Sequence, residues 1–332
     1  MAMLQRYKKL LVNSIDRLSY LDRSFELTQA ILRVNLRVVL MAVMLPVFTS
    51  IAIAQVTVRG NVYGGGNLAE VGGTVEVNIK AGTVEKDVYG GGALANTNIN
   101  NIPAESYTGT GEETGNTFTY TTTVNLLGGT IKGDAYGGGL GKMGTAVAGE
   151  KYTQDEANAY NQENNLNEGD EGFKTTDDWK VEPVAAGADG AGAVKAMVYG
   201  DVEVTLGSEN GSTATKFYIY HYDNEHADVV KSGRVFGCNN LNGSPLGNVT
   251  VTVWKTAQGN IQRSESANKS STDATYELAA VYGGGNLANY TATDKKTHVI
   301  VNGCGDPSIE YVYGGGNAAA VPEASVDINA TY

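Results

Sequence analysis

The chain has 332 residues, 43 of them glycine and only 6 proline and 2 cysteine, with charged residues at 18% and hydrophobic residues at 42%. Glycine this abundant without a G-X-Y period, beside so much apolar content, excludes collagen and plain disorder, and two cysteines are too few for a disulfide-built scaffold. A net charge of −12 excludes nucleic acid as a partner, because phosphate binding needs clustered Lys and Arg.

In chain order the first feature is Val38–Ala54, 17 uncharged residues behind Arg33 and Arg37 that end in Ala52-Ile53-Ala54. Small residues there suit signal peptidase, and the run is shorter than the roughly 20 apolar residues of a bilayer span. Residues 1–54 are therefore expected to be a signal peptide with an extended n-region, with Gln55 the mature N-terminus. That segment holds 7 of the 24 basic residues but only 3 of the 36 acidic ones, so the exported part is more acidic than the whole. Only Arg59, Arg234 and Arg263 remain as arginines. Membrane contact is expected only through this segment or a C-terminal anchor beyond Tyr332.

From residue 55 on, a short phrase recurs, as VYGGG(N/A/L) or a variant of it, beginning at Val62, Val88, Ala135, Val198, Val235, Val281 and Val312, at spacings of 26, 47, 63, 37, 46 and 31. It sets Gly64-Gly65-Gly66, Gly90-Gly91-Gly92, Gly137-Gly138-Gly139, Gly283-Gly284-Gly285 and Gly314-Gly315-Gly316 in equivalent places. Between copies lies an alternating phrase, TVEVNI from Thr74, TVNLL from Thr123, DVEVTL from Asp201, NVTVTV from Asn248 and HVIV from His298. Period two means strand. A glycine turn and a shorter strand lead back to the next copy. One such unit cannot bury its apolar face alone, so stacked units are expected: an all-β, right-handed parallel β-helix or β-solenoid over residues 55–332. The triple glycines would form its corners, through positive φ and close approach.

Polar insertions are expected at about 96–122, 142–196 and 256–275, as surface loops. In the second, Thr153-Gln154-Asp155-Glu156 spells a capping box and predicts a short helix.

VYGGGN and VFGCNNLNGSPLGNVTVTV resemble glycine-rich repeats of exported, adhesin-like surface proteins of the Bacteroidetes. The resemblance covers about residues 56–332 and implies a secreted or cell-surface β-solenoid. It carries over no catalytic or binding residue. Ser325–Asn329 restarts the strand phrase just before Tyr332, which suggests truncation at the C-terminus.

The aromatic place in the phrase is held by Tyr63, Tyr89, Tyr136, Tyr199, Phe236, Tyr282 and Tyr313. Stacked units would align these as a ladder, read mainly as ring packing and secondarily as a glycan-contacting stripe. Trp179 and Trp254 are further aromatics. Asn167–Gly172 and Gly187–Gly192 set acids beside glycines as calcium sites do, but without the spacing of an EF-hand loop, so solvated loops are expected and no cofactor is assigned. His221 and His226 read as surface residues rather than a zinc pair. Cys238 and Cys304 fall at different parts of the repeat, which argues against a disulfide. Asp87, Asp134 and Asp201 stand beside the corners as turn formers.

A non-enzymatic stalk or adhesin-like surface is the expected function, with host or environmental glycans or proteins as partners. The alternative is a polysaccharide lyase or hydrolase on the same fold, which would need convergent acids, or a base with Lys or Arg support.

Overall fold

The computed structural model describes residues 56–110, 118–221, 232–257, 261–263, 276–303 and 307–329, with 5, 6, 8 and 29 ahead of them. Most of the expected signal segment, Gln55, His226 and Cys304 lie outside the described residues, as do the side chain of His221 and most of 256–275. The chain divides into two compact units, Met1–Ala54 and Gln55–Tyr332, and every described strand belongs to the second. Among the described residues no helix is long and apolar enough to cross a membrane.

Alternating residues form the strands expected of them, and every strand of the three main sheets pairs in parallel. The long sheet runs Val75–Ile79, Thr122–Leu126, Val202–Leu206, Val249–Val253, Thr297–Asn302 and Ala324–Asn329, in chain order and without a register slip. A short sheet takes Thr57–Val58, Thr83–Val84, Thr130–Ile131 and Lys216–Phe217. The corner sheet takes Val62–Tyr63, Val88–Tyr89, Ala135–Tyr136, Arg234–Phe236, Leu278–Tyr282 and Ile309–Tyr313. Each early repeat thus crosses the long, short and corner sheets in turn.

Register puts like on like. Val77, Val124, Val204, Val251 and Val299 form one column of the long sheet, and Ile79, Leu126, Leu206, Val253 and Val301 the next. Both columns are buried, and they pack in one cluster with Val84, Ile131 and Phe217 of the short sheet and Val88, Ala135, Val235 and Val281 of the corner sheet. Each such side chain contributes about 1.5–3 kcal/mol on burial, which a lone repeat could not collect.

Positive φ marks, among other places, the turns that leave the long strands, at Gly82 (84°), Gly129 (72°) and Gly207 (72°). The triple glycines of the corners are not among the positive-φ glycines, which corrects half of the expectation. Their requirement is space. A β-carbon at Gly64 would collide with the Gly90 carbonyl oxygen, and one at Gly90 with that of Gly137.

Val198–Asp201 is not a corner, a second correction. Val198 bridges Thr97 and Pro245, and Val202 already opens a long strand. A true corner is followed by an arc before the long strand, as from Tyr63 to Val75, and VYGD leaves no room for one. Six corner strands remain, and the next after Ala135–Tyr136 is Arg234–Phe236.

The insertions are also more structured than surface loops. Asn96, Thr97, Asn98 and Asn101 are buried, and Thr97 bridges both Val71 and Val198, so the first insertion begins later than residue 96. At its other end Thr122 belongs to a long strand. Residues 142–196 form an antiparallel arm, held by the bridges Lys142↔Val194, Thr145↔Ala191 and Val147↔Val184 and by Glu150–Lys151 pairing with Trp179–Val181. It carries the helix Gln154–Glu163 with its Thr153–Glu156 capping box in place. Ala196, at the arm's end, is fully buried. Thr256 is buried too, its Oγ1 donating to Glu277 at 2.6 Å and accepting from the Ser308 amide at 2.8 Å.

Candidate functional site

Two assemblies bring chemically active side chains together, one within the corner sheet and one beside it. In the corner sheet the rings of Tyr63, Tyr89, Tyr136, Phe236, Tyr282 and Tyr313 stack face to face, with centroids 4.7–4.9 Å apart and planes within 11° of parallel. That spacing is the strand separation itself. Tyr199 is absent from the series. It is buried against Ile102 and Met197, with its ring edge-on to Tyr107, because the Val198 bridges set it in a different arc. Tyr89, Tyr136 and Phe236 are fully buried with both faces covered, so no ring face of theirs is open to a pyranose.

The residue before each of the first three corner strands builds a second ladder, which ends on Arg234. Asn61 Oδ1 accepts the Asp87 amide (3.0 Å), Asp87 Oδ1 accepts the Asp134 amide (2.9 Å), and Asp134 Oδ1 accepts the Arg234 amide (2.8 Å). Arg234 Nη2 closes on Asp134 Oδ2 at 2.6 Å, while the Tyr89 hydroxyl donates to Asp87 at 3.0 Å. Burial pushes the Asp134 carboxyl above the usual Asp range, against the opposing pull of Arg234. Asp201 acts alike one sheet away, its Oδ1 accepting the Asn248 amide at 2.7 Å. These carboxylates satisfy backbone donors of the following repeat, a structural use that leaves no free acid–base pair among them.

Beside the corners lies a groove of about 340 Å³, lined by Leu68, Glu70, Leu94, Asn96, Val194 and Lys195 among others. Leu68 and Glu70 follow the first corner, Leu94 and Asn96 the second, and Val194 and Lys195 come from the base of the arm. Asn96 Nδ2 donates to Glu70 (2.9 Å) and to the Tyr107 hydroxyl (2.8 Å), and Tyr107 in turn hydrogen-bonds Glu70. The Asn96 Oδ1 accepts the Met197 amide at 2.9 Å, which ties the groove floor to the core. Lys195 reaches Asp189 at 3.2 Å. A carboxylate, a carboxamide and an ammonium group beside leucine side chains, with a phenol hydrogen-bonded to the first two, are groups that hydrogen-bond and pack against polyhydroxylated ligands.

Sequence reasoning missed this groove because it cut the repeat phrase short. The phrase runs on as NLAE, ALAN and NLAN at Asn67, Ala93 and Asn286, and that extension was the available signal. Tyr107 and Lys195 sit in the insertions and carried none.

The remaining candidates are placed elsewhere. Cys238 is a buried thiol whose pKa burial pushes up, with Sγ 3.5 Å from the Gly283 carbonyl oxygen. Asp170 caps a local turn, accepting the Asn167 amide at 2.7 Å, and Asp189 is the partner of Lys195. Among the described residues no three His, Cys, Asp or Glu side chains group closely enough to hold a metal ion. Trp179 is exposed on the arm with Lys151 Nζ 5.3 Å from its ring centroid. Comparison with protein-family models, with curated proteins and with solved structures finds no match.

Proposed function

We propose that the protein is a non-enzymatic, exported β-solenoid that displays a recognition surface from a rigid, repetitive stalk. The observation that carries this reading is that strand order equals chain order in all three parallel sheets, the arrangement a chain makes when it winds through equivalent coils. Right-handed winding follows from the twist of L-residue strands. Export is supported by the Ala-Ile-Ala boundary, at which the chain also divides into its two compact units. Secretion or attachment at the cell surface follows from that reading.

Recognition belongs to the groove rather than to the aromatic ladder, whose inner rings are spent on each other. Glycans or proteins carrying clustered hydroxyl or amide groups fit its lining. A lyase or hydrolase would need acids or a base open to a polymer chain, and the acids that converge here, Asp87 and Asp134, are tied to backbone amides and Arg234.

The test is binding of the purified protein to a glycan and surface-protein panel, beside turnover of the same glycans. Binding without turnover, lost when the groove-lining Ala193 is enlarged in Ala193→Trp, is the expected result. Release of reducing or unsaturated ends at a rate that survives Ala193→Trp would overturn the reading.

A further inference from the structure

We propose that Asn210 is a site of spontaneous self-modification: its side-chain amide is displaced by the Gly211 backbone nitrogen to give a succinimide, which water opens to isoaspartate and aspartate. The reaction favours Asn followed by Gly, because a residue without a β-carbon leaves the attacking nitrogen unshielded. The chain holds three such pairs, Asn210-Gly211, Asn242-Gly243 and Asn302-Gly303. Sequence makes them equal, and the fold separates them.

Asn242 is 3% exposed and fully engaged. Its Nδ2 donates to the Lys142 and Ala188 carbonyl oxygens at 3.0 and 2.8 Å, and its Oδ1 accepts the Gly243 amide at 2.8 Å. The leaving nitrogen is therefore tied to two carbonyls, and the Gly243 N–H points at the carboxamide oxygen instead of presenting its nitrogen to Cγ. Asn302 is 8% exposed, its Oδ1 accepting from Asn329 Nδ2 at 3.1 Å. Neither side chain can bring its Cγ to the next nitrogen, or admit the water that completes the reaction, without local opening.

Asn210 has neither restraint. It is exposed, and among the described residues its side chain makes no hydrogen bond. It stands in a bow, residues 208–212, between two clamps. Ahead of the bow the Gly207 amide donates to the Leu126 carbonyl oxygen at 3.0 Å. Behind it Thr213 Oγ1 donates to that of Leu127 and Thr215 Oγ1 to that of Gly128, both at 2.8 Å. The bow's own bond, from the Gly211 amide to the Ser208 carbonyl oxygen at 3.1 Å, is a single turn bond that water can replace.

Once the Gly211 amide gives up its proton to water or hydroxide, its nitrogen bonds to Asn210 Cγ, the Cγ–Nδ2 bond breaks and ammonia leaves. Water then adds to one of the two ring carbonyls. Opening at the backbone carbonyl routes the chain through Cγ and lengthens the bow by a backbone atom, whereas opening at Cγ leaves aspartate. Overall one water is consumed, one ammonium is released and the chain gains one carboxylate. Because the clamps lie outside the bow, the strands Val202–Leu206 and Lys216–Phe217 keep their register. Each copy is thus marked with age by a new negative charge while its coils stay stacked, whatever the protein recognises.

Ageing the purified full chain at mildly alkaline pH, with peptide mapping by mass spectrometry, tests this. The peptide bearing Asn210 should convert to isoaspartyl and aspartyl forms about tenfold or more faster than those bearing Asn242 and Asn302, which react only from locally opened states. In denaturant all three should convert at similar rates. Asn210→Gln, whose longer side chain does not close the same ring, should abolish the fast component, and aged and fresh wild-type chains should melt alike. One common rate in the folded chain would overturn the proposal, as would an Asn210 that persists while denatured chains convert, or a fast component that survives Asn210→Gln.

Discussion

At the scale of single residues, the same glycine in the same phrase carries different weight in different repeats. A β-carbon at Gly284 would lie 2.7–2.8 Å from the backbone of Gly316 and 2.6 Å from Val321 Cγ2, so Gly284→Val must push main chain as well as a side chain. We expect a loss of about 1–3 kcal/mol, the usual range for overpacking, read from chemical denaturation. Gly315→Val, in open space, should change monomer stability by less than about 0.5 kcal/mol. Equal losses in the two variants would show that glycine serves backbone conformation here, and not the approach of the next repeat. Asp134 is a second residue whose neighbours decide its role. Asp134→Ala removes the acceptor of the Arg234 amide and strands a largely buried guanidinium, so a loss of about 2–4 kcal/mol is expected. A near-neutral Asp134→Ala would mean the pair is solvated.

At the scale of elements, the arm is held differently at its two ends. Its outer part turns on local chemistry: Glu156 is lowered to about 2, first by its hydrogen bond from Lys180 and then by the Thr153 amide and hydroxyl. A depressed carboxyl stabilises the fold above its ordinary value of 4.5 and loses that contribution as pH falls through about 2. First-turn amides of the helix Gln154–Glu163 should therefore stay protected at pH 4 and open as pH approaches 2. Lys180→Ala should move the midpoint upward, and an NMR titration with an ordinary Glu156 midpoint would contradict the capping geometry. The arm's base belongs to the core. The Asn239 side chain donates to the Ala196 carbonyl oxygen at 2.6 Å, and the Asn242 side chain to that of Lys142 at 3.0 Å. Replacing residues 148–183 by a short turn between the paired Val147 and Val184 should preserve the β circular dichroism and a cooperative melt. Removing 142–196 entire should lower the melting temperature clearly, and equal melts for the two deletions would refute this division of the arm.

At the scale of the whole molecule, parallel stacking makes stability graded along the chain. Each repeat draws its partners from its neighbours, so interior strands are held on both sides and terminal ones on one. Hydrogen exchange should be slowest at Val204 and Val251 and fastest at Val326 and Ile328, with intermediate protection at Val77. Uniform protection across these columns would imply a single cooperative unit without end fraying.

The sequence by itself determined the strands, because a period of two leaves a chain with one apolar face and no other way to bury it. Recurrence of that pattern determined that like strands would stack, and the Thr153–Glu156 spacing determined a helix start, since both are local in origin. Tertiary structure alone decided which VYG phrase is a corner: Val198–Asp201 reads like the others until its distance to the next long strand is set against the arc a corner requires. It alone brought Glu70, Asn96 and Lys195 around one groove, with Tyr107 hydrogen-bonded to the first two, because those residues come from two repeats and two insertions whose meeting depends on the register of strands far apart in the chain.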